Sequence, residues 1–431
     1  MALTSGPIDA GQESRTACDS LHRMRILYIS QYFPPEMGEP AARVYELSRE
    51  WVRLGHAVQV LTGFPNHPTG VIPESYRGEL WRRETVDGIE VIRAPIYAAP
   101  NKDLLRRAAN YISFAASASV LGPVLARRPD VLIATSPQFL VGVAGLWLSK
   151  LLRVPFVFEV RDLWPASIVA VGALPAGSAP VRALEVLEKT LYRAADRIVA
   201  VTDSFVDEIA SRGVDAGKIR VVKNGVDLAA FRPMPKENEV RARLGLQGKF
   251  VATYVGTHGM AHGLGTILDA AERLKPNDRF RFLLVGEGAE KAKLKALAHE
   301  RGLTNVIFLD QQPRETIPAH IAASDVCLVL LRAHGLFKTV LPSKIFEFWG
   351  CARPVVLGVE GEARKLVEDA GAGVVFAPED ATGLVEALER LAEAPERVIA
   401  LGDAGRRYVE TNFSRTALAR KYLEILREVA Q

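Results

Sequence analysis

The sequence predicts an α/β protein built from two doubly wound parallel-sheet domains facing across a cleft. Three observations predict it. The 431 residues are too many for one ordinary core. Short β-rich runs alternate with amphipathic helices along nearly the whole chain, which implies a parallel sheet with helices on both faces. The alternation pauses over 226–249, a charged stretch with two prolines that reads as a linker, and then restarts.

The elements follow in order. Residues 1–23 are polar, small and unpatterned, without the apolar stretch of a signal peptide, and read as a disordered leader; Met24 is a plausible start. "RILYIS" (25–30) is a buried strand. The helix at 40–55 puts Val44, Leu47, Trp51 and Leu54 on one face and ends at Gly55. Further strands are expected at 56–62, 89–94, 131–136, 156–160, 197–202 and 219–223. The second half repeats the pattern at 250–256, 280–286, 306–310, 326–331, 354–358 and 373–377, and is helical from about 395 to the end. The domains are therefore drawn as 24–230 and 231–412, with a final helix over 413–431 carrying Leu418, Tyr422, Ile425 and Leu426 on one face.

Composition excludes several classes. The net charge is +4 with both signs interspersed, which argues against a nucleic-acid surface. Cys18, Cys327 and Cys351 have no metal-ligand spacing; the latter two read as small core residues of a cytosolic protein. No metal and no cofactor is expected. No run of 18 apolar residues occurs, and the apolar segments 111–126 and 140–154 read as buried helices.

Ligands of doubly wound sheets bind beyond the carboxyl ends of the strands, so the loops there carry the candidate residues. Gly38 closes the loop after the first strand and opens the next helix. Gly256, Gly259 and Gly263 surround two histidines in "YVGTHGMAHGLG" (254–265), a loop suited to phosphate. "VGEGAEK" (285–291) lacks the third glycine of a dinucleotide fingerprint, and no P-loop exists. Arg161 and Asp162 end a strand of the first half; a structural ion pair capping the sheet is the alternative.

"TVLPSKIFEFWGCARPVV" (339–356) sets Lys344 and Glu347 among core side chains, with a cation in a helix's first turn, where the macrodipole disfavours it. A bound anion would account for Lys344, and a diol hydrogen-bonded to Glu347 for the other. The alternative is a salt bridge between them, worth only ~0.2–0.5 kcal/mol.

The motifs "YFPPEMGEPAARVYELSREWVRLGHAVQVLTG", "FPNHPTG", "RDLWPAS", "VVKNGVDLAAF", "YVGTHGMAHGL", "VGEGAEKAKL" and "VLPSKIFEFWGCARPVV" run in that order. With them, residues 24 to about 415 resemble the GT-B glycosyltransferases of family 4, and in particular the bacterial branch that builds surface polysaccharides, which includes N-acetyl-L-fucosamine transferase-like enzymes. The resemblance implies two Rossmann-like domains and a nucleoside-diphosphate sugar donor, UDP-linked, with transfer to a lipid-linked glycan at the cytoplasmic face of the membrane. It also implies retention of configuration.

By the same resemblance Glu347 holds the donor ribose, while Thr339 stands where the family's other glutamate would. Lys344, with backbone at Leu341 and Ser343, contacts the diphosphate. Gly38, Gly256 and Gly286 line the donor, Thr257 and His262 occupy the places of the family's Arg and Lys, and Asp310 and Gln311 lie over the base. Arg161 and Asp162 stand where a His-Asp pair is usual, and Asn66 and His67 belong to the acceptor side. Lys344, Arg161 and Asp162 are the catalytic candidates. Arg106, Arg107, Arg127 and Arg128 flank the apolar segment of the first half and suit a peripheral contact with anionic lipid; a solvated basic face is the alternative. Rival readings are a UDP-sugar 2-epimerase of the same fold and a non-catalytic sugar-nucleotide-binding protein.

Overall fold

The structure is a computed structural model that describes residues 23–67, 69–99 and 104–431. The expected leader lies outside the described residues up to position 22. Fourteen strands form two sheets among these residues. The first contains β1 (Arg25–Ile29), β2 (Ala57–Gly63), β3 (Arg82–Val86), β4 (Ile89–Ala94), β5 (Val131–Thr135), β6 (Phe156–Val160), β7 (Arg197–Ala200) and β8 (Ile219–Val221). Their order is β3-β4-β2-β1-β5-β6-β7-β8. The second contains β9 (Phe250–Val255), β10 (Phe280–Val285), β11 (Val306–Leu309), β12 (Val326–Leu330), β13 (Val355–Gly358) and β14 (Gly373–Val375), ordered β11-β10-β9-β12-β13-β14.

Each sheet reverses its winding once. Ile26 of β1 pairs with Val58 on one side and Val131 on the other. Thr253 of β9 pairs with Leu283 of β10 and Cys327 of β12. Ligand crevices of such sheets open at these reversals. They put the loops after β1, β5, β9 and β12 at the cleft.

Three features differ from the sequence reading. β3 was not expected; it pairs antiparallel with β4 through a turn at Asp87-Gly88, so the first sheet has one antiparallel edge. Arg82, Arg83 and Glu84 hide the alternation of an exposed edge strand. The stretch 226–249 is not a plain linker either. Val226 pairs with Ser414, Phe231 is buried, and a short helix, Glu239–Leu244, follows. The two chain crossings between the domains thus run side by side, with Val226 N–H donating to the Phe413 carbonyl at 3.0 Å and Arg415 N–H to Val226 at 3.1 Å.

The third difference is α2 (Leu104–Leu125), which is not a buried helix. Only its inner face, with Phe114 and Ala118, joins the core. It is long and apolar enough to cross a membrane by length and composition, but that inner face packs on the sheet beside α3 (Val141–Leu152).

α1 (Glu39–Arg53) holds the first domain together. Its Trp51 ring stacks on Tyr28 at 5.8 Å between centroids and meets Tyr422 edge-on at 5.4 Å. The indole N–H donates to the Ala419 carbonyl at 3.0 Å. Ala419, Tyr422 and Leu426 belong to the terminal helix Arg415–Ala430, which follows the second domain in sequence and packs on the first. Arg43 and Glu159 form an ion pair at 2.9 Å with both side chains fully buried. It survives burial because its polar atoms are satisfied: Tyr28 and Thr135 hydroxyls donate to Glu159, each at 2.6 Å, and Arg43 donates to Asn224 at 3.0 Å and to the Val222 carbonyl at 2.9 Å.

Leu426 is fully buried in this cluster. Leu426→Ala should therefore lower the melting transition of the first domain by roughly 5 °C or more, as read by scanning calorimetry. An unchanged transition would mean that the terminal helix contributes no core to that domain.

Candidate functional site

The centre of the second-domain crevice is Lys344, the first residue of the helix Lys344–Gly350. Its Nζ sits 3.9 Å from the centroid of the Tyr254 ring, at the end of β9. The atom is buried, and no hydrogen-bond partner takes it up among the described residues. Burial therefore lowers its pKa to about 7, with Glu347 working in the opposite direction. No ion pair joins Lys344 to Glu347, so the salt-bridge alternative fails. Glu347 is paired instead with Arg314, at 3.3 Å. Burial raises the Glu347 pKa while the Arg314 charge pulls it down.

The glycines around Lys344 are required by close approach. A Cβ at Gly256, where φ is +143°, would sit 2.7 Å from Lys344 Nζ. One at Gly286 would sit 1.9 Å from the Gly256 carbonyl oxygen. Gly256 and Gly286 are thereby brought together with Lys344 under one crevice. Thr257 is exposed beside them, its carbonyl accepting from the Tyr254 hydroxyl at 2.8 Å. His262 is held neutral, its pKa lowered to about 3 by burial and by the Lys344 charge. His258, in the same loop, is fully buried with both ring nitrogens unpartnered among the described residues. Burial and the charges of Lys291 and Lys344 lower its pKa to about 4.

Leu341 is buried at the turn before Lys344, and Ser343 is partly covered. Asp310 lies further out after β11 and holds Lys291 Nζ at 2.6 Å, with Gln311 next to it. Thr339 only bonds the Leu336 carbonyl, at 2.8 Å.

On the first-domain side, Gly38 has φ +122° and its carbonyl starts α1 by accepting from Ala42 N–H at 3.0 Å. Arg161 does not face open space. Its guanidinium is taken by Glu39 and by the Pro40 carbonyl, so it holds the start of α1 next to Gly38. Asp162 lies next to a ring cluster: Trp164 stacks on Phe139 at 6.3 Å and meets Tyr111 at 6.2 Å. Burial raises its carboxyl pKa, opposed by the Arg107 charge among others. α4 (Ala166–Ala170) continues from there and touches the turn Gly335–Thr339 that leads to Lys344.

Asn66 and His67 are joined by Glu36, whose Oε1 accepts both their backbone N–H groups at 2.8 and 2.9 Å. Burial raises the Glu36 pKa to about 7, against these bonds. Beside it lies a small cavity lined by Gln31, Tyr32, His67, Arg107, Asn110 and Tyr111. Sequence reasoning missed Tyr254, Glu36 and Tyr111; a tyrosine ending a strand and a glutamate in a proline-rich loop are too common to signal a site. It also missed Arg314, which joins Glu347 to Glu46 of α1 at 2.6 Å, where Arg415 arrives at 2.7 Å.

This arrangement can bind an anion at Lys344 and hydroxyl groups at Glu347, with an aromatic, partly charged wall opposite. Comparison with known proteins gives the family. Residues 38–225 match the family described as glycosyl transferase 4-like domain, and 236–408 match glycosyl transferases group 1. The chain is 25% identical over 416 residues to WcaI of Escherichia coli K12, named for colanic acid biosynthesis, covering 94% of this chain and 100% of the relative. It is 30% identical over 320 residues to a D-inositol 3-phosphate glycosyltransferase of Kineococcus radiotolerans, covering 69% and 71% of the two chains. The crystal structure of HepE from Anabaena with UDP-glucose superposes with a TM-score of 0.70 at 18% identity, over 94% and 100% of the chains, which shows the same fold.

The unpaired Lys344 amine gives a stability prediction. The unfolded chain keeps its lysine protonated up to an ordinary value of ~10.4, whereas the folded group loses its proton through about 7. Its penalty is therefore full below pH 7 and fades as pH rises above it. Lys344→Met should melt above the parent at pH 6.5, by about 2 °C or more, and the gap should narrow by pH 9. A variant that melts lower at both pH values would show that the amine has a stabilising partner.

Proposed function

The chain belongs to the GT-B glycosyltransferases of family 4, and from that premise we propose that it moves a sugar from a UDP-linked donor to a lipid-linked glycan in surface-polysaccharide biosynthesis, at the cytoplasmic face of the membrane. The observation that carries the reading is the buried Lys344 amine without a hydrogen-bond partner among the described residues, set beside close-packed glycines at the mouth of β9. A diphosphate supplies two or more negative charges of the right sign at that point. WcaI and the HepE complex support a polysaccharide role and a UDP donor respectively.

Transfer proceeds with retention on this reading. The bond from the anomeric carbon to the diphosphate breaks, the acceptor hydroxyl oxygen bonds to that carbon from the same face, and its proton passes to the departing diphosphate. Lys344 holds the charge that develops on the leaving oxygens, in a site that closure dries and so strengthens. That is the part a divalent metal plays elsewhere, so activity should survive excess EDTA. Glu347 holds the ribose diol. Asp162 and the rings of Tyr111 and Trp164 orient the acceptor sugar, and Glu36 fixes the Asn66-His67 segment against it.

Titration calorimetry with UDP and with uridine tests the donor half. Lys344→Ala should weaken UDP by roughly tenfold to a hundredfold, the worth of one charge-assisted hydrogen bond, and barely alter uridine. Glu347→Ala should weaken both. At pH 8 the parent should take up a proton on binding UDP, because the diphosphate restores the ammonium whose pKa is held at about 7 in its absence; Lys344→Ala should abolish that uptake. Unaltered UDP affinity in both variants would remove the reading. Release of free sugar from the donor without any acceptor would favour the epimerase instead.

A further inference from the structure

We infer that Glu362 is a positioning residue: its carboxylate clasps the first domain and sets the angle at which the Lys344 segment of the second domain faces it. The inference takes its purpose from the transfer proposed above, but its evidence is separate. Glu362 opens the helix Glu362–Ala370 after β13, and its side chain is only 11% exposed. Both carboxylate oxygens turn to the first domain. One accepts from the Ser204 N–H at 2.8 Å and the other from the Asp203 N–H at 3.1 Å. Lys223 Nζ stands 3.3 Å from the same carboxylate and 2.7 Å from Asp203. A carboxylate that holds two N–H groups and an ammonium is a strong, directional contact.

Both ends of the contact are anchored. In the first domain, Ser204 begins the helix Ser204–Ala210, whose Phe205 and Ile209 belong to the core. The Lys223 carbonyl accepts from Arg43 at 3.1 Å, and Arg43 is locked to Glu159. Lys223 lies just before Val226, at the first chain crossing. In the second domain, Gly361 has φ +74°, and a Cβ there would run into the Lys338 carbonyl. Lys338 Nζ also pairs with Glu360 at 2.9 Å. Lys338 belongs to the turn Gly335–Thr339, which leads through Leu341 to Lys344 and which α4 of the first domain touches. The clasp therefore grips the first domain through the same segment that presents the Lys344 amine.

Its place complements the contact between Arg314 and Glu46. Arg314 follows β11 and meets α1, which follows β1, whereas Glu362 follows β13 and meets the loop after β7. In each sheet these strands lie on opposite sides of the winding reversal. The paired crossings at Val226 and Ser414 supply a further connection between the two. A contact on one side alone would leave the domains free to swing about the crossings; a contact on each side of the crevice removes that freedom. Lys344 has no hydrogen-bond partner among the described residues and Glu347 is paired with Arg314, so Glu362 acts on the donor side through the domain angle and not by touch.

The test reads the domain angle in the full chain without donor or acceptor, so it does not depend on transferase activity. Cys18→Ser is the background, since Cys327 and Cys351 are buried. Spin labels are attached at two exposed positions, Glu74→Cys in the first domain and Lys293→Cys in the second, and their separation is read by pulsed electron resonance. The parent should give one narrow distance. Glu362→Ala should raise the share of a second, displaced population at least about tenfold, the worth of one charge-assisted hydrogen bond. Glu362→Gln keeps one acceptor oxygen and should fall between the two; it also serves if the alanine variant fails to fold. UDP affinity, read by calorimetry, should stay within about threefold of the parent in both variants, because Lys344 and Glu347 are untouched. Folded variants with the parent's distance distribution overturn the inference. So does a loss of UDP affinity without any change in distance, which would make Glu362 a donor-binding residue. A parent that binds no UDP overturns the transfer reading instead, and the distances still decide the clasp.

Discussion

Glu46 is a buried residue at which the two domains meet. It lies inside α1, is almost entirely buried, and spends one carboxylate oxygen on each neighbour. One goes to Arg415 at the paired chain crossings, where the guanidinium also donates to the Gly225 carbonyl at 2.8 Å. The other goes to Arg314 from the second domain, which in turn reaches Glu347. A buried carboxylate with one cation removed costs several kcal/mol, of order 3–5. The arrangement therefore favours domain positions that keep both contacts. It also ties the residue proposed to hold the ribose to the crossings about which the domains would move. A ribose hydroxyl that donates to Glu347 must share it with Arg314, so occupancy of the site is felt at Glu46.

Most of the architecture was legible because buried parallel strands leave a strong signal. β5 and β6 are five-residue runs with no exposed position, and the sequence reads them as apolar blocks between helices. β3 was not legible, because an edge strand with partly exposed charges has no such block. α1 was legible as a helix and misleading as a surface. Its apolar stripe was read correctly, but Arg43, Glu46 and Glu50, which lie outside that stripe, are buried as well. Nothing local distinguishes an arginine facing water from one facing Glu159, since the partner is 116 residues away.

The site was legible in proportion to how oddly its residues sat in their own neighbourhood. Lys344 stood out because a cation in the first turn of an apolar helix has no local reason to exist. Glycines stood out because loops need few of them. Arg161 and Asp162 stood out as a pair, yet the structure separates them: the arginine turns back to Glu39, and the carboxylate turns to the aromatic wall with Arg107 nearby. Adjacent charges at a strand end point to opposite sides, so their adjacency was no evidence of a shared task. Arg314 and Tyr254 had no local oddity and were invisible for that reason.

The same logic explains why the chain keeps an amine with no hydrogen-bond partner among the described residues. A lysine stacked on a phenol ring keeps a weak cation–π attraction, ~0.5–2 kcal/mol, and loses far more by desolvation. Replacing the glycine at 256 would drive a methyl group into it, so the neighbourhood is closed as well as unneutralised. His258 and His262 are held neutral close by, and adding protons to them would set further positive charge against the same atom. The pocket is thus arranged to be relieved by something that is not protein. A site that satisfied Lys344 with a carboxylate of its own would be more stable, and would compete with the diphosphate proposed to bind there.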